Sequence, residues 1–188
     1  MSMFRFITIL ILIFLLGTNA TMASEEVKFD IVHKTKIYEI RKYSERLVAQ
    51  AINDKNSSTF RKLFNYIAGA NNSSKKIEMT TPVTQTKNNN IYFMQFYLPS
   101  TFNKKTIPVP SNPDVKILLM KEGYFAVIKY SGRSSDKNFM KYSKILYDKL
   151  IEDRITINGF AIKATYNPPW TLPLFRRNEV MFNIKWDS

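Results

Sequence analysis

Cysteine is absent from this chain of 188 residues, and histidine occurs only once, at His33. Without cysteine there is no disulfide framework, no cysteine-ligated zinc or iron–sulfur centre and no thiol nucleophile. A single imidazole also excludes metal centres built on several histidines. Glycine occurs five times, with no glycine-rich phosphate loop and no G-x-S-x-G nucleophile elbow. Hydrolase, nucleotide-binding and most metalloenzyme functions therefore lack a supporting motif, and we expect no catalytic residues and no metal site.

Apolar and basic residues dominate what is present. Hydrophobic residues make up 45% of the chain, enough to bury a core, and 28 Lys and Arg oppose 15 Asp and Glu, for a net charge of +13. Such a surface attracts anions. The basic residues come mostly as separated pairs, such as Arg61-Lys62 and Arg176-Arg177. Separated pairs are typical of a solvated surface, so we expect no nucleic-acid partner.

The first 23 residues have the pattern of a secretory signal peptide. Arg5 precedes an apolar run over 6–16, and the small-residue pattern Thr21-Met22-Ala23 follows. The run is shorter than the roughly 20 residues that cross a bilayer, although an uncleaved anchor that starts nearer Met1 is an alternative. The sequence thus predicts a signal peptide at 1–23 and one domain at 24–188. We expect export, to the periplasm in a Gram-negative bacterium or to the exterior otherwise, with no stable membrane insertion after cleavage.

The remaining sequence repeats one structural unit twice. In each unit, two apolar stretches around a polar turn predict a β-hairpin, and serines then precede an amphipathic helix and two further strands. The first unit has hairpin strands at 37–43 and 47–52, a helix that begins near Ser57 and stops at Gly69, and strands at 77–82 and 91–98. The second has hairpin strands at 117–120 and 124–130, a helix after Ser134-Ser135, and strands at 160–166 and 179–185. Together they predict a pseudo-twofold α+β domain, with a proline-rich linker at 106–113.

Two apolar segments are candidates for binding a planar ligand. The first helix carries Phe60, Leu63, Phe64 and Ile67 at i, i+3, i+4 and i+7. The second segment has Trp170 between Pro168-Pro169 and Pro173, followed by Leu172 and Leu174. Core packing explains most of these residues equally well. Trp170 is the exception, because large apolar side chains on stiff loops often serve binding.

Five short motifs occur along the chain: YEIRKY at 38–43, FNYIAGAN at 64–71, KIEMTTPV at 76–83, PPW at 168–170 and RRNEV at 176–180. In order and spacing they resemble the SOUL haem-binding protein family. The resemblance covers nearly all of 24–188. It implies a twisted antiparallel β-barrel flanked by two helices, built from two pseudo-repeats and similar to the effector-binding domains of bacterial regulators.

For function, the resemblance implies non-covalent, non-catalytic binding of haem or another tetrapyrrole in an open apolar groove. The groove residues are expected to be Phe60, Leu63, Phe64, Ile67, Trp170, Leu172 and Leu174. Two lysines that the family places in the loop and late in the helix appear here as Thr171 and Asn65. Arg61, Lys62 and Arg176 are therefore the candidates for binding the propionates.

Two further predictions concern charged residues. His33 is expected to be an exposed residue at a strand edge, with axial ligation of haem iron as the less favoured alternative. Arg177 and Glu179 lie two apart on a strand and hence on one face. We expect an ion pair that holds the last strand in place, not a catalytic carboxylate.

Two other functions remain open at the level of the sequence. In the first, the barrel has lost its affinity for tetrapyrroles and serves as a protein-interaction module or as a binder of another amphipathic ligand. A haem-dependent enzyme is a third alternative, which requires a usable iron site. The oligomeric state is not predicted.

Overall fold

The computed structural model describes residues 24–53, 57–88 and 91–187, so the predicted signal peptide lies outside the described residues. Helix α1 spans Ser57–Ile67, helix α2 spans Asp136–Glu152, and a short 3-10 helix spans Pro173–Phe175. Nine strands of the described residues form one antiparallel sheet. They are β1 Asp30–Lys34, β2 Glu39–Tyr43, β3 Arg46–Asn53, β4 Val83–Asn88, β5 Ile91–Tyr97, β6 Val115–Met120, β7 Gly123–Tyr130, β8 Ile162–Thr165 and β9 Asn178–Ile184. In the described part of the chain, no helix is long and apolar enough to cross a membrane.

Two long bent strands make the sheet curl. The stretches β2–β3 and β6–β7 run antiparallel in one register, from Glu39 opposite Val127 to Ala51 opposite Val115. Beyond the bend, β3 pairs with β5 while β7 pairs with β9. Each bent strand therefore contributes to both halves of the sheet, which gives the twisted, barrel-like α+β fold that the sequence predicts.

The two predicted hairpins are wrong. β2 pairs with β1 and β7, whereas β3 pairs with β5 and β6, so these consecutive strands belong to different parts of the sheet. The same holds for β6 and β7. A two-residue polar break between apolar stretches marks a corner here, because the chain bends without reversing its direction. Only the long-range strand pairing distinguishes such a corner from a hairpin turn.

The two pseudo-repeats are visible in the strand order. In the first repeat β5 lies between β3 and β4, and in the second β9 lies between β7 and β8. β4 and β8 then pair with each other, with Val83 opposite Thr165. The repeats thus meet twice, once along the bent strands and once at this pair.

Helix α1 forms because one of its sides is apolar. Leu63, Tyr66 and Ile67 are buried against β3, where Ala49 and Ala51 allow a close approach. Burying a leucine side chain contributes about 1.5–3 kcal/mol. The helix ends before Gly69, whose φ of +120° is a conformation that side chains with a Cβ rarely adopt.

Helix α2 covers the second half of the sheet. Ser135 caps its start by accepting a hydrogen bond from the Asn138 amide at 3.3 Å, as the serine pair predicted. Leu146 and Leu150 are fully buried in the core beneath it. The Tyr142 ring stacks on the Tyr130 ring, with 4.3 Å between the ring centroids. Both helices, predicted as amphipathic, therefore pack apolar residues on the sheet.

The predicted strand at 77–82 is also wrong. Residues 74–80 are irregular, and β4 begins only at Val83, after the cis bond between Thr81 and Pro82. The apolar side chain of Ile77 is buried, but its amide donates to the Ile67 carbonyl at the end of α1. Buried alternating residues here anchor a loop to the core and do not form a strand ladder. The strands predicted at 91–98, 160–166 and 179–185 are confirmed as β5, β8 and β9.

Candidate functional site

The predicted apolar side of α1 divides into a buried and an exposed part. Leu63 and Ile67 belong to the core and have almost no exposed surface. Phe60 and Phe64 are 44% and 47% exposed, and their rings stack with 6.0 Å between centroids and 14° between planes. Phe60 also contacts Phe96 edge-on at 5.4 Å. An external ligand can therefore reach the two phenylalanines, while the two aliphatic residues hold the helix in place.

The connection from β8 to β9, residues 166–177, is the second apolar surface. It presents four large apolar side chains to solvent. Their exposed fractions are 83% for Trp170, 64% for Leu172, 75% for Leu174 and 70% for Phe175. Side chains of this size in one exposed cluster are typical of a binding surface.

Hydrogen bonds hold this connection in a defined shape. The Arg176 guanidinium donates to the Thr171 carbonyl at 2.7 Å and to the carbonyl of Pro169. The Gly132 amide donates to the Pro173 carbonyl at 2.8 Å, which ties the loop to the segment before α2. A cleft of about 410 Å³ lies between the loop and residues 133–135. Arg176 thus stabilises the loop and is also a candidate for binding a propionate.

Strand pairing relates the two apolar surfaces. Phe96, against which Phe60 packs, lies directly opposite Val83, and Val83 lies directly opposite Thr165. Residues directly opposite each other point to the same face of a sheet. The Thr165 hydroxyl lies 3.4 Å from that of Ser134, which lines the cleft beside the loop. Only β4 and β8 separate the strand under Phe60 from the loop.

The predicted propionate-binding cations have different surroundings. Lys62 forms an ion pair with Asp114 at 2.7 Å, and the hydrogen bond from Lys62 lowers the pKa of that carboxyl. Arg61 is exposed on α1. Arg133, which lines the cleft beside the loop, was missed in the sequence because it lies far from the loop along the chain. Its proximity depends on how β7 leads into α2.

His33 lies on β1, at one edge of the sheet, and is exposed as predicted. Its ring is 5.4 Å from that of Trp186. In sheet order, β2, β7 and β9 lie between this strand and β8. The described residues contain no group of three His, Asp or Glu side chains able to hold a metal ion.

The barrel interior contains a network of charged side chains. Arg41 is fully buried and donates two hydrogen bonds to Glu179, at 2.8 and 3.0 Å, and two to Glu39, at 2.7 Å through Nε and 2.5 Å through Nη2. The predicted pair of Arg177 and Glu179 is confirmed at 2.9 Å. Tyr166 donates to the other Glu179 oxygen at 2.8 Å. The carboxylate of Glu179 is therefore committed to structural contacts.

This network perturbs the acidity of its members. Burial alone would raise the pKa of Glu39, but hydrogen bonds and charge from Arg41 and Lys129 hold it below its ordinary value. Burial raises the pKa of Tyr43 to about 12. The pKa of Arg41 is raised, because Glu179 more than offsets the effect of burial. All these shifts keep the network in one charge state near neutral pH.

Residues 25–29 cover this interior. Val27 and Phe29 pack into the same cluster as Tyr43, and the Phe29 ring lies 4.0 Å from the Arg41 guanidinium. Backbone hydrogen bonds tie the segment to Thr81 at 2.8 and 2.9 Å, and Arg177 pairs with Glu26 at 2.9 Å. Phe60 packs on Phe96, which belongs to another core cluster, so the apolar surface of α1 lies on the outer side of the sheet.

A family model described as SOUL heme-binding protein matches residues 24–183. The chain belongs to the SOUL family. The resemblance of the five motifs is thereby confirmed over nearly the whole described domain. No curated protein gives a significant sequence match.

Solved structures share the fold of this SOUL protein at low sequence identity. The EcmrR C-terminal domain is 11% identical with a TM-score of 0.61, over 80% of this chain and 98% of that one. An uncharacterized conserved protein from Listeria innocua is 9% identical with a TM-score of 0.61, over 82% and 94%. A structure described as a hydrolase from the same organism is 8% identical with a TM-score of 0.59, over 82% and 94%. These similarities confirm the expected relation to regulator-type domains as one of fold.

Proposed function

We propose that this SOUL protein binds haem or another tetrapyrrole non-covalently and without catalysis. The ligand lies on the outer face of the sheet, between Phe60 and Phe64 of α1 and the loop that carries Trp170, Leu172 and Leu174. One observation carries the proposal: two ordered apolar surfaces flank the same face of the sheet. The family assignment supports the class of ligand.

The spacing of the strands beneath the two surfaces suits a planar macrocycle. Neighbouring strands lie about 4.8 Å apart, so the backbones at Phe96 and Thr165 are about 10 Å apart across β4. This gap is comparable with the width of a porphyrin ring. A macrocycle seated there would contact phenylalanine on one side and tryptophan or leucine on the other. Each such aromatic side chain buries a large area when a ligand covers it.

Cations near the same face suit the two propionates. Arg61 lies on the exposed side of α1, and Arg133 and Arg176 line the cleft beside the loop. Guanidinium groups bind carboxylates through short, charge-assisted hydrogen bonds. Lys62 is a weaker candidate because its ammonium group already forms an ion pair with Asp114. We therefore add Arg133 to the propionate-binding residues predicted from the sequence.

The position of His33 supports binding without an axial histidine. The imidazole lies on β1 beside Trp186, three intervening strands away from β8. Aromatic and aliphatic contacts with the macrocycle would then supply most of the affinity. An iron-free porphyrin should consequently bind nearly as well as hemin.

We also propose that the domain at 24–188 acts after export and removal of residues 1–23. The family match begins at residue 24, next to the predicted cleavage position, which supports this boundary. N-terminal sequencing of the protein recovered from the expressing cells tests it. A mature chain that begins at Ser24 is expected, and a retained residue 1 would contradict it.

A hemin titration tests the binding proposal, followed by Soret absorbance and tryptophan fluorescence on the purified protein. We expect saturable one-to-one binding that Phe64→Ala and Trp170→Ala each weaken and His33→Ala leaves unchanged. Loss of the Soret shift in His33→Ala would instead indicate axial ligation. Free hemin in buffer serves as the control for stacking on a cationic protein.

The exposure of the loop also favours the second candidate function. Four large apolar side chains at 64–83% exposure are suited to a protein partner or to another amphipathic ligand. Absence of saturable binding by both hemin and the iron-free porphyrin would favour this alternative.

A further inference from the structure

A second cleft lies at the bend of the first long strand, among residues other than those proposed for tetrapyrrole binding. Its volume is about 520 Å³, within the usual range of small-molecule sites. One side is formed by Arg46 and Leu47 at the start of β3, and another by Leu119 of β6. The turn with Phe102, Lys104 and Lys105 completes the lining.

Positive charge dominates this cleft. Arg46, Lys104 and Lys105 line it together with a single carboxylate, that of Glu45. A fourth cation, the Lys75 ammonium, lies 5.0 Å from the centre of the Phe102 ring. An anion that entered the cleft would therefore meet a local excess of cations at short range.

The Arg46 guanidinium lies on the opposite face of β3 from Leu47, because successive strand residues point to opposite faces. In the described part of the chain it forms no ion pair, and its guanidinium carbon lies 4.5 Å from the Tyr43 ring and 5.0 Å from the Tyr97 ring. One terminal nitrogen donates to the Ser44 carbonyl at 2.9 Å, and the buried Nε has no acceptor. Arg46 therefore adds positive charge near the cleft, but its guanidinium does not lie over the apolar floor.

The floor of the cleft is apolar and its rim is ordered. Leu47 is buried in the core, and Leu119 and Phe102 pack against the same cluster. The Asn103 side chain accepts from the amides of Lys105 at 2.8 Å and Thr106 at 3.1 Å, which fixes the turn. Both lysines therefore start from a defined backbone position above the apolar floor.

We propose that this cleft binds an amphipathic anion, with a hydrocarbon body on Leu47, Phe102 and Leu119. Its oxyanion head lies between Lys104 and Lys105. A small inorganic anion would leave the apolar floor unused, and a neutral hydrocarbon would leave the cations unused. The two features together select a molecule that has both parts, such as a fatty carboxylate or an alkyl phosphate.

Calorimetric titration of the purified protein with decanoate tests this proposal, with decanol and acetate as the single-feature probes. We expect saturable one-to-one binding of decanoate, and binding of decanol and acetate at least about tenfold weaker, equivalent to ~1.4 kcal/mol. A titration with decyl phosphate compares a phosphate head group with the carboxylate of decanoate. The ligand that binds more tightly identifies the preferred head group. Equal affinity for decanol or acetate would overturn the proposal.

Matched variants locate the site. Lys104→Gln with Lys105→Gln removes two charges at the cleft, and Lys137→Gln with Lys141→Gln removes two exposed charges on α2. The first pair should weaken decanoate binding about tenfold or more, and the second should leave it unchanged. Phe64→Ala should also leave it unchanged. An equal loss in both double variants, or a loss in Phe64→Ala, would place decanoate elsewhere and contradict the proposal.

Amide chemical shifts provide a readout that does not depend on affinity. Decanoate should perturb the signals of 45–47, 102–105 and 119, and not those of 168–175. The variants must retain the wild-type spectrum without ligand, which excludes misfolding as the cause of lost binding. Perturbation confined to the loop would overturn the assignment.

Discussion

The two connections between the strands that follow each helix differ sharply, although they occupy equivalent places in the pseudo-repeats. β4 and β5 are joined by only residues 89 and 90, whereas β8 and β9 are joined by the twelve residues 166–177. The longer connection carries the most exposed tryptophan and leucines. The proposed tetrapyrrole site therefore lies where the second repeat departs from the first.

The two bends show the same contrast. Arg46 at the first bend lies opposite Met120, and Gly123 at the second lies opposite Tyr43. By the same pairing, Gly123 occupies the place in the second repeat that Arg46 has in the first. Arg46 lines the second proposed cleft, so that cleft also borders a position where the repeats differ. The elements that the two repeats share build the sheet, and both proposed sites lie at elements that differ between the repeats.

The largest expected effect comes from breaking the contact that joins the repeats inside the barrel. Arg41→Met leaves the carboxylates of Glu39 and Glu179 without their shared partner. Loss of one member of a buried ion pair costs about 3–5 kcal/mol in the free energy of unfolding. Urea denaturation measures it, with Lys144→Met as the control, because that exposed pair with Asp148 contributes under about 0.5 kcal/mol. Equal losses in both variants would contradict the structural role of the network.

A second comparison uses neighbouring positions on α1. Leu63→Ala removes a fully buried side chain and should lower the free energy of unfolding by about 2–5 kcal/mol. Phe64→Ala removes a half-exposed ring and should lower it much less, while weakening porphyrin binding. Thermal unfolding and porphyrin titration of both variants check this separation. A Phe64→Ala protein that binds normally would remove α1 from the proposed site.

A third comparison contrasts the loop with another exposed apolar position. Trp170→Ala should weaken porphyrin binding about tenfold, or ~1.4 kcal/mol, and leave the unfolding temperature unchanged. Met140→Ala on α2, where the side chain is 63% exposed, should change neither quantity. Porphyrin titrations followed by fluorescence and absorbance measure the affinity of both variants, and thermal unfolding measures their unfolding temperatures. Similar affinities for the two variants would show that the loop is not part of the site.

The smallest expected effect is a dependence of the free energy of unfolding on pH. The pKa of Glu39 is lower in the folded protein than in the unfolded chain, where it is about 4.3. Its stabilisation is therefore complete above that value and is lost as the pH falls through the lowered folded value. Between about pH 5 and pH 3, Glu39→Gln should lose less stability than the wild type. Parallel acid dependence in both proteins would contradict this assignment.

Local patterns in the sequence predicted the elements that depend on neighbours along the chain. Both helices, the Ser135 cap and the ion pair of Arg177 with Glu179 are of this kind. The corners at 44–45 and 121–122 resembled hairpin turns, because a break in periodicity carries no information about which strand pairs next. Arg41 and Arg133 were missed for the same reason, since strand pairing brings Arg41 to Glu179 and the segment from β7 to α2 brings Arg133 to the loop.

The most direct test of the central claim is whether one ligand contacts elements from both repeats. Hemin is paramagnetic and broadens nearby amide signals, and an iron-free porphyrin provides the diamagnetic reference. With one equivalent bound, we expect broadening of both the α1 signals around 60–64 and the loop signals at 168–175, with those of His33 and Trp186 unaffected. Broadening of only one of the two elements, or centred on His33, would contradict a site shared between the repeats.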